Sequence, residues 1–216
     1  MKKIVIFDLD GTLLDTVGDL AAACNAILER HELPTHDIEA YNHFVGNGIM
    51  RLVERMLPEE LRTPEFVAEL RAEFVEYYSA NIATHTTPYS GIIPLLTELT
   101  HREIALAVAS NKFQEGTRKL VKHYFGDFKF SAVLGQRPDV PLKPNPQIVR
   151  DVIQITSYTP DKVLYVGDSG IDMETAKAAG VESVGVTWGF RSREELIESG
   201  ANHIVDNPRD ILKFLD

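Results

Sequence analysis

The chain has 216 residues, enough for one large domain or for one domain carrying a smaller insertion. Hydrophobic residues make up 44% and charged residues 25%, which excludes a disordered polyelectrolyte and fits an ordinary globular chain. The formal net charge of -10 leaves no uniform positive field to gather polyanions, so neither nucleic acid nor a membrane surface is expected as a partner.

Met1-Lys2-Lys3 and the short apolar stretch after it lack the long hydrophobic region and cleavage site of a secretory signal. No apolar run is long enough to span a bilayer, and a cytoplasmic protein is expected. Cys24 is the sole cysteine, which excludes an internal disulfide and a thiolate zinc cluster. Its apolar neighbours predict a small buried side chain.

The first element is Ile4-Val5-Ile6-Phe7, an apolar run that reads as a buried strand. It stops at Asp8-Leu9-Asp10-Gly11-Thr12, so two carboxylates sit where a strand ends. A turn explains them structurally, and a ligand site explains them functionally. Helical spacing then predicts helices over 19 to about 30, 39–44, 49–57 and 64 to about 82, with no strand between them. Pro58 and Thr63-Pro64 punctuate this stretch.

After a break at 86–91, helices are predicted over 92–100, 115–123, 146–155, 173–179, 193–199 and 208–215. Strands over 104–109, 132–134, 163–166 and 183–187 alternate with them. This alternation predicts an α/β fold with a Rossmann-like, mainly parallel sheet. Because the first strand meets no parallel partner until after the helical stretch, residues 15–86 are expected to form an all-helical cap. The core would then comprise 1–14 and 87–216, with hinges near Asp15 and Thr87.

Three predicted strands end in polar residues: Asp8, Ser110-Asn111 and Gly167-Asp168. In a parallel sheet these endings share one edge, joined by Lys143 in the loop Leu142-Lys143-Pro144-Asn145-Pro146 and by Asp172. Asp8, Asp10, Asp168 and Asp172 crowded together would raise one another's pKa unless a cation shared the site. Oxygen donors without nearby Cys or His favour a hard ion, and few carboxylates with a phosphate suit Mg²⁺. Thr12, Ser110 and Lys143 supply donors for such an anion. One carboxylate could attack phosphorus while the second serves as acid and base, and Asp8 and Asp10 fill those roles.

Asp8-Leu9-Asp10-Gly11-Thr12, Ser110-Asn111, Lys143-Pro144 and Gly167-Asp168-Ser169 with Asp172 resemble the four ordered motifs of the haloacid dehalogenase superfamily of phosphohydrolases. The resemblance implies Asp8 as nucleophile and Asp10 as general acid and base. It implies Mg²⁺ held by Asp8, the Asp10 carbonyl and Asp168, with Asp172 supporting or completing the site. Ser110, with Asn111 beside it, and Lys143 would bind the transferring phosphoryl group, and residues 15–86 would be the small helical cap on a superfamily-type core.

Phe44-Val45-Gly46-Asn47-Gly48 and Val186-Thr187-Trp188-Gly189-Phe190 look most like phosphoglycolate phosphatases. Gly46 and Gly48 flank a helix start, where free amides could meet an anionic substrate or simply be capped. His31, His36, His43, His85, His101, His123 and His203 have no ligand spacing and are expected to be solvated or packed. Trp188 is expected to pack, and Lys112, Arg118, Lys119 and Lys122 to share one solvated helix face. Arg51 and Arg55 are expected to pair with Glu54 or Glu59, and Arg191 and Arg193 to be similarly ordinary.

The expected function is Mg²⁺-dependent hydrolysis of a small phosphorylated metabolite, 2-phosphoglycolate first, through an aspartyl-phosphate. A phosphosugar mutase, nucleotidase or pyrophosphatase on the same framework, and a non-catalytic phosphometabolite sensor, are the alternatives.

Overall fold

The computed structural model describes all residues from Met1 to Asp216. Strand β1 (Ile4–Phe7) is buried along its whole length. A tight turn leads to β2 (Leu14–Asp15), and four helices follow: α1 (Val17–Arg30), α2 (Ile38–Phe44), α3 (Gly48–Met56) and α4 (Pro64–Asn81). The chain returns through β3 (Thr87–Pro88), which pairs antiparallel with β2. The two connections to the helical segment therefore run side by side, a ribbon too short for any sequence period to reveal.

α4 shows why these helices form where they do. Thr63 Oγ1 accepts from Phe66 N, Pro64 occupies the first turn, and Val67, Leu70, Phe74 and Tyr78 make the buried stripe. α1 is tied to the return connection by Asp19. Its buried carboxylate accepts from the backbone N–H of Thr84 (3.1 Å), His85 (2.8 Å) and Thr86 (2.9 Å), and from Thr86 Oγ1 (2.7 Å). Cys24 lies fully buried in α1, as its neighbours imply.

The rest alternates as α5 (Ile92–His101), β4 (Ala105–Phe113), α6 (Gln114–Phe125), β5 (Phe130–Gln136), α7 (Gln147–Thr156), β6 (Val163–Gly167), α8 (Gly170–Ala179), β7 (Glu182–Val186), α9 (Arg193–Glu198) and β8 (His203–Val205). The C-terminal segment expected as a helix is a 3₁₀ helix, Pro208–Phe214, longer than the roughly three or four residues usual for this tighter form.

Six strands form one sheet in the order β5-β4-β1-β6-β7-β8, and every adjacent pair is parallel. Side chains alternate between two faces. Ile4, Ile6, Ala107, Ala109, Val163 and Tyr165 pack with Ile148, Val149 and Val152 of α7 and Ala176 of α8. Val5, Phe7, Leu106, Val108, Leu164 and Val166 belong to a core continuous with α5, α6 and the inserted helices. The chain runs outward from β1 to β4 and β5, then crosses back to β6 on the other side of β1. That reversal leaves a crevice at the carboxyl ends of β1, β4 and β6, where ligands bind in open α/β sheets.

Candidate active site

Asp8 continues the β1 ladder, its N–H donating to Val166 O at 2.9 Å, so its carboxyl emerges at the crevice. The turn after it closes because Gly11 takes φ +83, and a side chain there would put Cβ 2.3 Å from Asp168 Oδ2. Thr12 is fully buried, and its hydroxyl donates to Asp168 Oδ1 at 3.0 Å. The structure thus turns this hydroxyl, expected to face phosphate, toward a carboxylate.

Asp168 follows β6 and receives a second bond from Phe190 N at 2.8 Å. Lys143, buried in the loop before α7, lies 2.9 Å from Asp8 Oδ1 and 2.7 Å from Asp172 Oδ1. It also donates to Ala109 O and to the Tyr165 hydroxyl, both at 3.1 Å. Asp172 is engaged on both oxygens: Oδ1 by Lys143 and Tyr165, Oδ2 by Ser169 Oγ at 2.6 Å and Ser169 N at 3.2 Å in the capping box of α8.

Asp8, Asp168 and Asp172 each bring one oxygen within 4.8 Å of the others. Three buried carboxylates therefore face one ammonium. Burial, followed by the charges of Asp172 and Asp8, pushes the Asp168 carboxyl up to about 8. Burial likewise lifts Asp8 to about 7, against the pull of Lys143. Burial would neutralise Lys143, but Asp172 and Asp8 outweigh it and hold its pKa well above the usual value. Asp8 Oδ1 is buried, and its contact is the ion pair with Lys143. A hard divalent cation fits this donor set, supplying the missing charge and a partner for Asp8.

Beside these carboxylates lies a cavity of about 40 Å³. Asp8, Asp10, Ser110, Asn111 and Lys112 line it from the sheet, while Gly46, Gly48, Leu52 and Tyr78 are among its lining from the inserted helices. Ser110 Oγ accepts from Lys112 N at 3.2 Å, leaving its own proton for another acceptor. Asn111 is a joint: its amide nitrogen donates to Gly46 O (3.0 Å) and Lys143 O (3.2 Å), and its oxygen accepts from Lys143 N (2.8 Å). Gly46 and Gly48 both take positive φ, and Asn47 between them makes no side-chain cap to α3.

Lys112 is a correction to the sequence reading. Arg118, Lys119 and Lys122 are exposed, but Lys112 is buried and pairs with Asp10 at 3.0 and 3.3 Å. β4 runs on through Phe113, and its register with β5 shifts between Ala109 and Phe113. Such a bulge re-aims side chains, and four successive residues, Ser110 to Phe113, line the cavity. The position directly after Ser110-Asn111 was the available signal. Tyr78 and Tyr165 were also missed, because a buried tyrosine looks like core in any sequence pattern.

Arg51 pairs with Glu54 at 2.5 Å, as expected, whereas Arg55 donates to the carbonyls of His43 (3.2 Å) and Phe44 (3.0 Å) instead of to a glutamate. Arg191 reaches the same helix end, donating to Asn42 O and to Val45 O (2.7 Å), besides lying 3.6 Å from Glu195. Trp188 packs and also donates its indole N–H to Thr12 O at 3.0 Å. None of the histidines belongs to the carboxylate group. No helix is long and apolar enough to cross a membrane.

Comparison with known proteins agrees with this architecture. The family model for haloacid dehalogenase-like hydrolases matches residues 5–186. A phosphoglycolate phosphatase of Mesorhizobium japonicum is 33% identical over 195 residues, covering 89% of this chain and 86% of that protein. An N-acetylmuramic acid 6-phosphate phosphatase of Pseudomonas aeruginosa is 32% identical over 216 residues, covering 99% and 95%. A crystal structure from Lactobacillus delbrueckii, provisionally named a phosphoglycolate phosphatase, superposes with a TM-score of 0.91 at 32% identity, covering 100% of this chain and 99% of that one. The chain belongs to the haloacid dehalogenase-like hydrolases, and within them it is similar to phosphoglycolate phosphatases, which are phosphoric monoester hydrolases.

Proposed function

We propose that this protein is a Mg²⁺-dependent phosphomonoesterase acting on 2-phosphoglycolate, with residues 15–86 serving as a cap over a core of 1–14 and 87–216. The observation that carries the reading is Asp8, a buried carboxylate at the switch point of the sheet that lines the cavity and whose Oδ1 has an ion pair with Lys143 but no hydrogen bond. Mg²⁺ would be held by Asp8, the Asp10 carbonyl and Asp168, where it would neutralise charge on the carboxylates and on the phosphoryl oxygens. Asp172 lies near enough to join them, but its engaged oxygens suit it to holding Lys143 in place.

Asp8 attacks phosphorus, forming an aspartyl-phosphate as the bond to the leaving oxygen breaks. Asp10 gives that oxygen a proton, releasing glycolate, and then takes a proton from the water that cleaves the acyl phosphate. Lys143 offsets charge on Asp8 and the phosphoryl group, and the Ser110 hydroxyl donates to a phosphoryl oxygen. The small cavity, walled on one side by apolar residues of α3 and α4, favours a short substrate over a sugar phosphate.

The test is phosphate release from 2-phosphoglycolate, sugar phosphates and nucleotides, ranked by kcat/KM. 2-Phosphoglycolate should lead, activity should vanish on chelation, and Asp8→Asn should abolish turnover while leaving the fold intact. Full activity in that variant, or after chelation, rejects the mechanism.

A further inference from the structure

Lys112 is the only basic side chain on the cavity wall. Its side chain is 3% exposed, and its ammonium is bonded to Asp10 and seated 4.6 Å from the centre of the Tyr78 ring. Lys143, by contrast, is enclosed by Asp8, Asp172, Tyr165 and Ala109 O and does not line the cavity. The inserted helices add mainly apolar groups, Leu20, Ile49, Leu52 and Phe74 among them. Tyr78 contributes a ring and a buried hydroxyl that has no partner. Positive charge for the part of a substrate beyond its phosphoryl group therefore falls to Lys112.

Its position relative to Asp10 says which substrates gain. On the phosphomonoesterase reading, the Asp10 carboxyl touches the oxygen that bridges phosphorus and carbon. In a phosphorylated 2-hydroxy acid the carboxylate carbon is two bonds from that oxygen. A cation bonded to Asp10 is therefore also beside the substrate carboxylate. A buried ammonium does not abandon one anion unless another replaces it, since burial leaves no water to take the partner's place.

We propose that Lys112 is the specificity-determining residue: its ammonium binds the carboxylate of a short 2-phosphorylated acid and, in changing partners, releases Asp10 to face the leaving oxygen. A phosphate ester of the same length without the carboxylate brings no replacement anion to Lys112 and leaves Asp10 held. The discrimination appears in kcat as well as KM. This rests on the phosphomonoesterase reading and adds to it a residue and a substrate class.

The experiment measures kcat and KM for 2-phosphoglycolate and for ethyl phosphate with the wild type, Lys112→Met, Lys112→Gln and Lys112→Arg. Thermal unfolding checks that each variant is folded. The wild type should prefer 2-phosphoglycolate, and the ratio of the two kcat/KM values should fall roughly 10- to 100-fold in the Met and Gln variants, the size of a lost charged hydrogen bond. Arg should keep most of the preference. An unchanged ratio in whichever neutral variant folds, whether both rates drop or neither does, overturns the assignment and leaves Lys112 a support for Asp10. A wild type that hydrolyses neither ester overturns the phosphomonoesterase reading itself.

Discussion

Withdrawing the divalent cation and then raising the pH should weaken the fold, and the carboxylate cluster sets the size of the effect. Asp168 is raised from 3.8 to about 8 and Asp8 to about 7, in both cases chiefly by burial. With folded values above unfolded ones, the metal-free native chain keeps protons that the unfolded chain has released. Stability from these groups is therefore greatest below about pH 4 and is lost as pH climbs toward 7 or 8. A cation needs the carboxylates ionised, so each displaced proton strengthens its binding about tenfold per pH unit, or about 1.4 kcal/mol. Asp8 and Asp168 repel each other, so one proton relieves both. With one proton displaced, raising the pH from about 5.5 to about 7.5 adds about 3 kcal/mol to the stabilisation by a fixed Mg²⁺ concentration. At about 2–4 °C per kcal/mol, the Mg²⁺-induced rise in Tm grows by roughly 6–12 °C. Thermal unfolding with Mg²⁺ and with chelator at both pH values measures it. An equal Mg²⁺ shift at the two pH values refutes the reasoning.

Gly11→Ala should lose more than about 1 kcal/mol of stability to its positive φ alone. Its Cβ, built 2.3 Å from Asp168 Oδ2, should also blunt the Mg²⁺ shift in Tm. Asp19→Ala strips four donors of their acceptor and should cost about 2–4 kcal/mol in urea unfolding. A loss below about 0.5 kcal/mol would mean that water satisfies those donors as well. Arg191→Met removes the bonds to Asn42 O and Val45 O, so proteolysis within residues 15–86 should quicken and KM should rise more than kcat falls. Unchanged cleavage would show that these bonds do not hold the helices in place.

The sequence exposed the chemistry where a strand pattern and a motif abut. Ile4 to Phe7 is apolar enough to announce a buried strand, so Asp8 could be placed at its end before any sheet was known. The order of strands could not be read the same way, because β1 gains both its neighbours, β4 and β6, from parts of the chain more than a hundred residues away. Lys112 shows a subtler failure. Its spacing to Arg118, Lys119 and Lys122 is compatible with a helix, but the strand before α6 persists through a register shift that no periodicity records. Thr12 was legible as a donor, while the acceptor it chose depends on Asp168 arriving from β6. Arg55 illustrates competition between partners: the free carbonyls at the end of α2 lie where its guanidinium reaches, and they displace the glutamates that helical spacing offers.

The floor and the wall of the cavity are mechanically joined, which bears on how a substrate is chosen. Residues 188–191 bond in turn to Thr12 O through Trp188, to Asp168 Oδ2 through Phe190 N, and to the end of α2 through Arg191. Asn111 makes a second bridge, linking the Lys143 backbone to Gly46 O. Any outward movement of α2 and α3 therefore strains contacts to Asp168 or to the loop that carries Lys143. Conversely, a cation and a phosphoryl group bound at the carboxylate cluster would fix those same residues and so favour the helix arrangement seen here. On the proposed reading, a phosphate ester too large for this arrangement would have to disturb the groups around its phosphorus, so it would lose rate as well as affinity. On the proposed reading the apolar helices would exclude by shape, and the bonds through residues 188–191 and Asn111 would convert that exclusion into a loss of catalysis.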